Sequence, residues 1–121
     1  ELDRCHRYYK LIANNNGGTA TESFAIGSCN DNAGLHTIFD FEPEMRTTPT
    51  ADITTGSNYF LIIENNSGEY SSTGPTSVSS RSSQRHYEIL WPIDGSSGTT
   101  GAAGFIYTNN NSAWVAFTAE L

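Results

Sequence analysis

Basic side chains are scarce. Six Lys and Arg stand against thirteen Asp and Glu in 121 residues, giving a formal net charge of −7 and a sequence pI of about 4.7. Nucleic-acid binding needs clustered cations to displace counterions, and adhesion to anionic lipid needs them too, so the composition argues against both partners. Long apolar runs are also missing. None approaches the ~20 residues of a membrane span, which argues against membrane insertion, and no signal-peptide pattern opens the chain. The start on charged residues is that expected of a piece of a longer protein. There are only two cysteines, Cys5 and Cys29. They allow one disulfide at most, and two buried free thiols are the preferred expectation.

Catalytic and metal signatures are absent as well. His6, His36 and His86 are far apart and none stands in an HxH or HExxH spacing, so no metal is expected. Asn30-Asp31-Asn32 clusters oxygens but lacks the Gly and Glu that complete an EF-hand loop, and reads as a turn. No serine sits in a GxSxG elbow. Asp40, Glu42 and Glu44 alternate, which would place three carboxylates on one face of a strand. A glycosidase needs two carboxylates at ~5–9.5 Å, but nothing marks either member of such a pair. The expectation is a non-enzymatic protein without a cofactor.

What the chain does have is Ser, Thr, Asn and Gly, about 40% of all residues and well above ordinary usage. These residues suit turns and exposed strand faces and are poor in helix interiors. Aromatics at 12% argue against disorder. Alternation with period two recurs. Phe24 and Ile26 alternate with Ser23 and Ala25. Leu35, Thr37, Phe39 and Phe41 share a face, as do Tyr87, Ile89 and Trp91, and Ala113, Val115, Phe117 and Ala119. Tyr59 to Ile63 is apolar throughout, as in a central strand covered on both faces. Gly104 to Thr108 is a shorter strand. In the first dozen residues a strand is preferred to a helix, because Tyr8-Tyr9 favours β structure.

Turn chemistry separates these runs at Asn14–Gly18, Asn30–Gly34, Gly56–Asn58, Asn65–Gly68, Asp94–Gly98 and Asn109–Asn111. Ser67 to Gln84 reads as a mobile loop or a weak edge strand. Asn65-Asn66-Ser67 and Asn110-Asn111-Ser112 fit the N-glycosylation pattern. The whole gives one all-β domain, residues 1–121, with about eight or nine strands in an antiparallel β-sandwich of jelly-roll type.

Three segments carry a resemblance. Arg4-Cys5-His6-Arg7-Tyr8-Tyr9-Lys10, Glu44-Met45-Arg46-Thr47-Thr48-Pro49-Thr50 and Ala119-Glu120-Leu121 are similar to the Cys-Gln-Arg-Tyr-Tyr, Met-Arg-x-x-Pro-Thr and Ala-Glu-Leu patterns of a C-terminal domain of bacteriophage tail-fibre and virion-surface proteins. His6 stands where that family has Gln. The resemblance implies a homotrimer at the virion surface, assembled in the host cytoplasm beside other virion proteins. It also implies reduced cysteines and a framework role for the Met45–Thr50 segment.

The residues themselves suggest roles around that frame. Pro49 reads as a strand entering from a bend. Arg46 is expected to tie a loop, with Asp40, Glu42 or Glu44 nearby, and Arg7 to pair with an acidic residue of its own or a neighbouring subunit. The candidate recognition residues are Tyr70, Asp94, Asn109, Asn110, Asn111 and Trp114: aromatic platforms and hydroxyl-binding groups suited to a host-surface glycan or protein. Trp91 reads as core. The alternatives are a capsid-decorating or fibre-capping domain without a receptor, and a carbohydrate-binding module.

Overall fold

The computed structural model describes residues 1–14, 21–65, 68–75, 77–78 and 81–119. Asn15 to Gly18, Asn66, Ser67 and the final Glu120-Leu121 lie outside them. A short helix α1 (Leu2–His6) leads into β1 (Tyr9–Asn14), β2 (Ser23–Cys29), β3 (Gly34–Asp40), β4 (Thr50–Ile53) and β5 (Phe60–Glu64). Then come β6 (Glu69–Ser72), β7 (Ser77–Val78), β8 (His86–Pro92), a 3-10 turn (Asp94–Ser96), β9 (Ala103–Thr108) and β10 (Trp114–Thr118).

The fold is all-β and sandwich-like. A three-stranded sheet runs β1-β10-β4, and a seven-stranded sheet runs β6-β5-β9-β2-β3-β8-β7. Every pairing is antiparallel. The pairs are nested: first strand with last, β1 on β10, and second with second-last, β2 on β9. Within the stretch expected to be a mobile loop or a weak edge strand, the described residues Glu69–Ser72 and Ser77–Val78 supply both edges of the long sheet, β6 at one side and β7 at the other.

The core is aromatic. Trp91 is fully buried, and its ring meets Phe60 at 5.1 Å and Phe24 at 5.5 Å, both edge-on. Its indole N–H donates to Thr37 Oγ1 at 2.8 Å. Across the sandwich, Phe117 of β10 packs on Tyr87, Phe41 and Phe39 at 4.8, 4.9 and 5.3 Å. Such contacts add to the hydrophobic term, because the positive edge of one ring meets the negative face of another. The alternation in β3 and β8 holds: Leu35, Thr37, Phe39, Tyr87, Ile89 and Trp91 face inward; in β10 Val115 and Phe117 are buried, but so is Ala116 between them.

Several expectations are corrected. The first residues form a helical turn before the strand. Helix α1 has only five residues, too few to show a period, and Arg7 and Tyr8 close it by donating to Arg4 and Cys5 carbonyls. Ile26 does not share the inward face of Phe24. The β2–β9 register slips between Ser23 and Ala25, and past this bulge the side chains change faces. Phe24 and Ala25 pack on the core, while Ile26 is 79% exposed. β5 is covered on one face only: Phe60 and Ile62 are buried, but Leu61 and Ile63 on the outer face are half-exposed. Both thiols are free, but Cys5 is exposed rather than buried.

The three segments that carry the resemblance meet in space, as far as they are described. Arg46 N–H donates to the Arg7 carbonyl at 2.9 Å and Ala119 N–H to the Tyr8 carbonyl at 2.8 Å. Met45 is buried, and Pro49 is buried immediately before β4. Arg46 meets other groups at this corner than the carboxylates expected beside it. Its Nη1 donates to Tyr8 Oη at 3.3 Å, its guanidinium lies over the Tyr8 ring, and Gln84 Nε2 donates to its carbonyl at 2.8 Å. Among the described residues no carboxylate pairs with Arg46 or Arg7, and both side chains are exposed. The three carboxylates expected on one strand face are also dispersed, because β3 ends at Asp40 and Glu42 and Glu44 lie beyond it.

Candidate functional site

Strand register separates the residues expected to recognise a ligand. Asn109 to Asn111 and Trp114 lie where β9 ends and β10 begins, beside Asn58, Thr54 and Asn14. Asp94 lies at the opposite end of the long sheet, just past β8, where the chain packs near Gly98, Asn32 and Glu64. Tyr70 sits on β6 opposite Ile62, half-buried, and packs against the core as a satellite instead of standing out as a platform.

The asparagine side chains largely serve their own loop. Asn109 Nδ2 donates to the Asn58 carbonyl at 3.3 Å, and Asn110 Oδ1 accepts the Ser112 N–H at 2.9 Å. Asn111 is exposed. Trp114 is half-buried and tilted against Tyr9 at 6.5 Å. Its Nε1 is shielded, and among the described residues no acceptor meets it.

The structure instead brings together charged groups that are distant in sequence. The β3–β8 register sets Asp40 opposite His86 and Ile38 opposite Glu88. His86 Nδ1 lies 2.5 Å from Asp40 Oδ1, and His36 Nδ1 lies 3.2 Å from Glu88 Oε1. Arg81 Nη2 donates to the same Glu88 oxygen at 2.6 Å. Beyond Asp40 the chain bends through a cis Glu42–Pro43 peptide, and Glu44 comes within 4.0 Å of Arg85. Phe41 N–H donates to the Arg85 carbonyl, fixing this bend against the start of β8.

A cavity of about 390 Å³ results, lined by Asp40, Phe41, Glu42, Pro43, Glu44, Arg85 and His86. It offers carboxylate acceptors, a guanidinium donor and an imidazole beside the apolar faces of Phe41 and Pro43. That mixture suits a polyhydroxylated ligand, whose hydroxyls donate and accept while its C–H faces need apolar contact. Among the described residues no hydroxyl or thiol bonds the His86 ring. Ser82 and Ser83 hydroxyls accept backbone N–H groups of Glu88, Arg85 and His86, holding the turn. Sequence reading missed this site because Asp40 and Arg85 become neighbours only through β3–β8 pairing.

A second buried polar centre lies at the Asp94 end. Glu64 is 3% exposed, and its Oε1 accepts the Thr99 N–H at 2.7 Å and the Cys29 thiol at 3.4 Å. Among the described residues no donor meets Oε2. Burial, with the adjacent Glu64 carboxylate, pushes the Cys29 thiol from 9.0 up to about 11. Burial and the bond to Glu69 push Tyr107 from 10.0 up to about 12. In each case the folded chain holds a proton that the unfolded chain releases at lower pH. Stability is therefore expected to fall as pH rises from 9 toward 12, read as a declining urea midpoint. At pH 8 a thiol reagent is expected to modify Cys5 rapidly and Cys29 only after unfolding. Fast reaction of both thiols in the folded chain would contradict the burial of Cys29.

Among the described residues no group of His, Cys, Asp or Glu is arranged to hold a metal ion, and no helix is long and apolar enough to cross a membrane. No family model, curated protein or solved structure matches this chain.

Proposed function

We propose that this chain is a non-enzymatic domain of a virion surface, the tip of a bacteriophage tail fibre or spike, that binds a host-surface receptor, a glycan by preference, as a homotrimer. One observation carries the reading. The segments resembling such tips, remote in sequence, join at one corner through the Arg46–Arg7 and Ala119–Tyr8 backbone bonds. They form framework, which leaves the loop ends of the strands to vary for recognition. The nested pairing of β1 with β10 and β2 with β9 supports a jelly roll, in which a long hairpin is rolled so that its ends pair first with last.

The Asp40–Arg85 cavity is the proposed receptor site. Replacing both Glu44 and Arg85 by alanine removes two exposed side chains from its rim, where neither serves the core. Binding of the labelled domain to host cells is expected to weaken roughly tenfold or more while the fold persists. The direct test is saturable binding to a panel of bacterial hosts, with the mass in solution set by light scattering. Binding by a trimer that is lost when surface polysaccharide is stripped supports the reading. Unchanged binding by the double variant removes the cavity from it.

A second reading, a decorating or capping domain without a receptor, is favoured by the separation of Asp94 from Asn109–Asn111 and Trp114 at opposite ends of the sheet. A stable trimer that binds no host on the panel selects it.

A further inference from the structure

The cavity at the Asp40–His86 pair has a neighbour. A second cleft of about 620 Å³ is lined by Ile38, Asp40, Arg81, His86 and Glu88. Asp40 and His86 border both hollows, so the pair forms a shared wall between them. The β3–β8 register explains the continuity. Ile38 stands opposite Glu88 and Asp40 opposite His86, which puts all four on one face of the sheet, ~7 Å apart along each strand. Past Asp40, the bend through Pro43 carries the surface on to Glu44 and Arg85. Each hollow falls within the ~300–1,000 Å³ range of ligand sites, and together they make one groove longer than a single sugar ring.

We infer that this groove takes an oligosaccharide of two or more rings that carries a free amino group, with the ammonium held at Asp40 and Glu42. The inference rests on the glycan reading proposed above and names the class of sugar.

Charge selects the class. Asp40, Glu42, Glu44 and Glu88 line the groove against the guanidiniums of Arg81 and Arg85. Both guanidiniums already face a carboxylate: Arg81 Nη2 lies 2.6 Å from Glu88 Oε1, and Arg85 Nε 4.0 Å from Glu44 Oε2. Asp40 has the His86 ring beside it, and among the described residues no cation pairs with the exposed Glu42. Carboxylates therefore outnumber guanidiniums in the groove, on a chain of net charge −7. A sugar acid would enter against that field. A protonated sugar amine enters with it and donates charge-assisted bonds to carboxylate oxygens. Apolar surface is divided between the hollows, with Ile38, 65% exposed, in one and Phe41 and Pro43 in the other. Each gives the C–H face of a ring something to lie on, so a chain of rings fits better than one. A lysine-rich peptide shares the charge, but its amines sit on flexible stems that lose rotamer freedom when held. A sugar ring presents its amine from a rigid frame.

The test is calorimetric titration of the full chain with glucosamine oligomers, monomer through tetramer, beside their N-acetylated counterparts and a tetragalacturonate. The amino tetramer is expected to bind roughly tenfold or more tighter than either its acetylated counterpart or glucosamine itself, and the acidic tetramer not to bind. High salt is expected to shrink the advantage of the amine. Asp40→Asn with Glu42→Gln changes two exposed side chains, so the fold, read by near-ultraviolet circular dichroism, should persist. This variant is expected to lose the preference for the amine and to keep its affinity for the acetylated tetramer within about twofold. Ile38→Ser is expected to weaken the tetramer several-fold and leave the monomer unchanged, which tests the second hollow independently of charge. Equal binding of amino and acetylated tetramers by the wild-type chain overturns the amine, and equal affinity for monomer and tetramer overturns the two-hollow groove. Equally tight binding of tetralysine shows a cation site without sugar specificity and overturns the inference as well. If the chain binds host polysaccharide but none of the amino oligomers, the inference falls while the receptor reading stands. If it binds neither, both fall.

Discussion

Replacing Trp91 by alanine is expected to lower the unfolding free energy by about 3–5 kcal/mol, a fall in Tm of roughly 15 °C for a domain of this size. Trp91 is fully buried and touches the edges and faces of Phe24 and Phe60. Removing it deletes that contact area and leaves a cavity that the two sheets cannot close without moving. A second loss comes from Thr37, whose hydroxyl accepts the indole N–H. Thr37→Val keeps the shape and removes the acceptor, so it isolates this part. Its expected cost is about 1–3 kcal/mol, because the buried N–H then has no partner. The two changes together should cost less than their sum, since both remove one bond. Urea unfolding of the single and double variants measures this. A loss below 1 kcal/mol for Trp91→Ala would contradict the placement of Trp91 at the centre of the core.

Gly27→Ala is expected to be comparably severe for a different reason. A Cβ at Gly27 would stand 1.9 Å from the His36 carbonyl oxygen and 2.8 Å from its carbon. Those are backbone atoms of the neighbouring strand, so no rotamer change relieves the clash. β2 and β3 must separate locally, which breaks the Gly27–Thr37 pairing in the middle of the long sheet. A cost of about 3 kcal/mol or more follows, at the upper end of overpacking effects. Gly101→Ala is a useful contrast: nothing lies within 4 Å of the added carbon, and only its positive φ of 82° penalises the change. If Gly27→Ala unfolds at the same urea concentration as the wild-type chain, the close approach of these strands is wrong.

The sequence announced its strands wherever one face was consistently buried. Leu35 to Phe41 and Tyr87 to Trp91 alternate without interruption, and their inward residues form the core. It hid Ile26, because the extra residue in β2 reverses the faces and no local pattern reports a bulge. It also hid helix α1, whose five residues are too few to show a period. Site residues were harder to read. Asn109 and Asn110 were recognisable as turn formers, and that is the work their side chains do. The Asp40–Arg85 cavity depends on the pairing of strands about 46 residues apart, as in the Asp40–His86 contact. Composition carries no information about such pairing. Glu64 likewise looked like an ordinary charge following an apolar run, yet the chain past β8 folds over it.

The short sheet has a consequence for synthesis of the chain. β10 lies between β1 and β4, and neither of those strands has another partner in that sheet. While the polypeptide is being made, β1 emerges first and waits for residues near position 115, as does β4. Half of the sandwich therefore cannot close until translation has nearly passed the domain, however early the other strands pair. A ribosome that stops short releases a chain with β1 and β4 unpaired and the Phe117 position in the core empty. The last strand thus acts as a completeness check, so that only a finished chain closes the short sheet over the core.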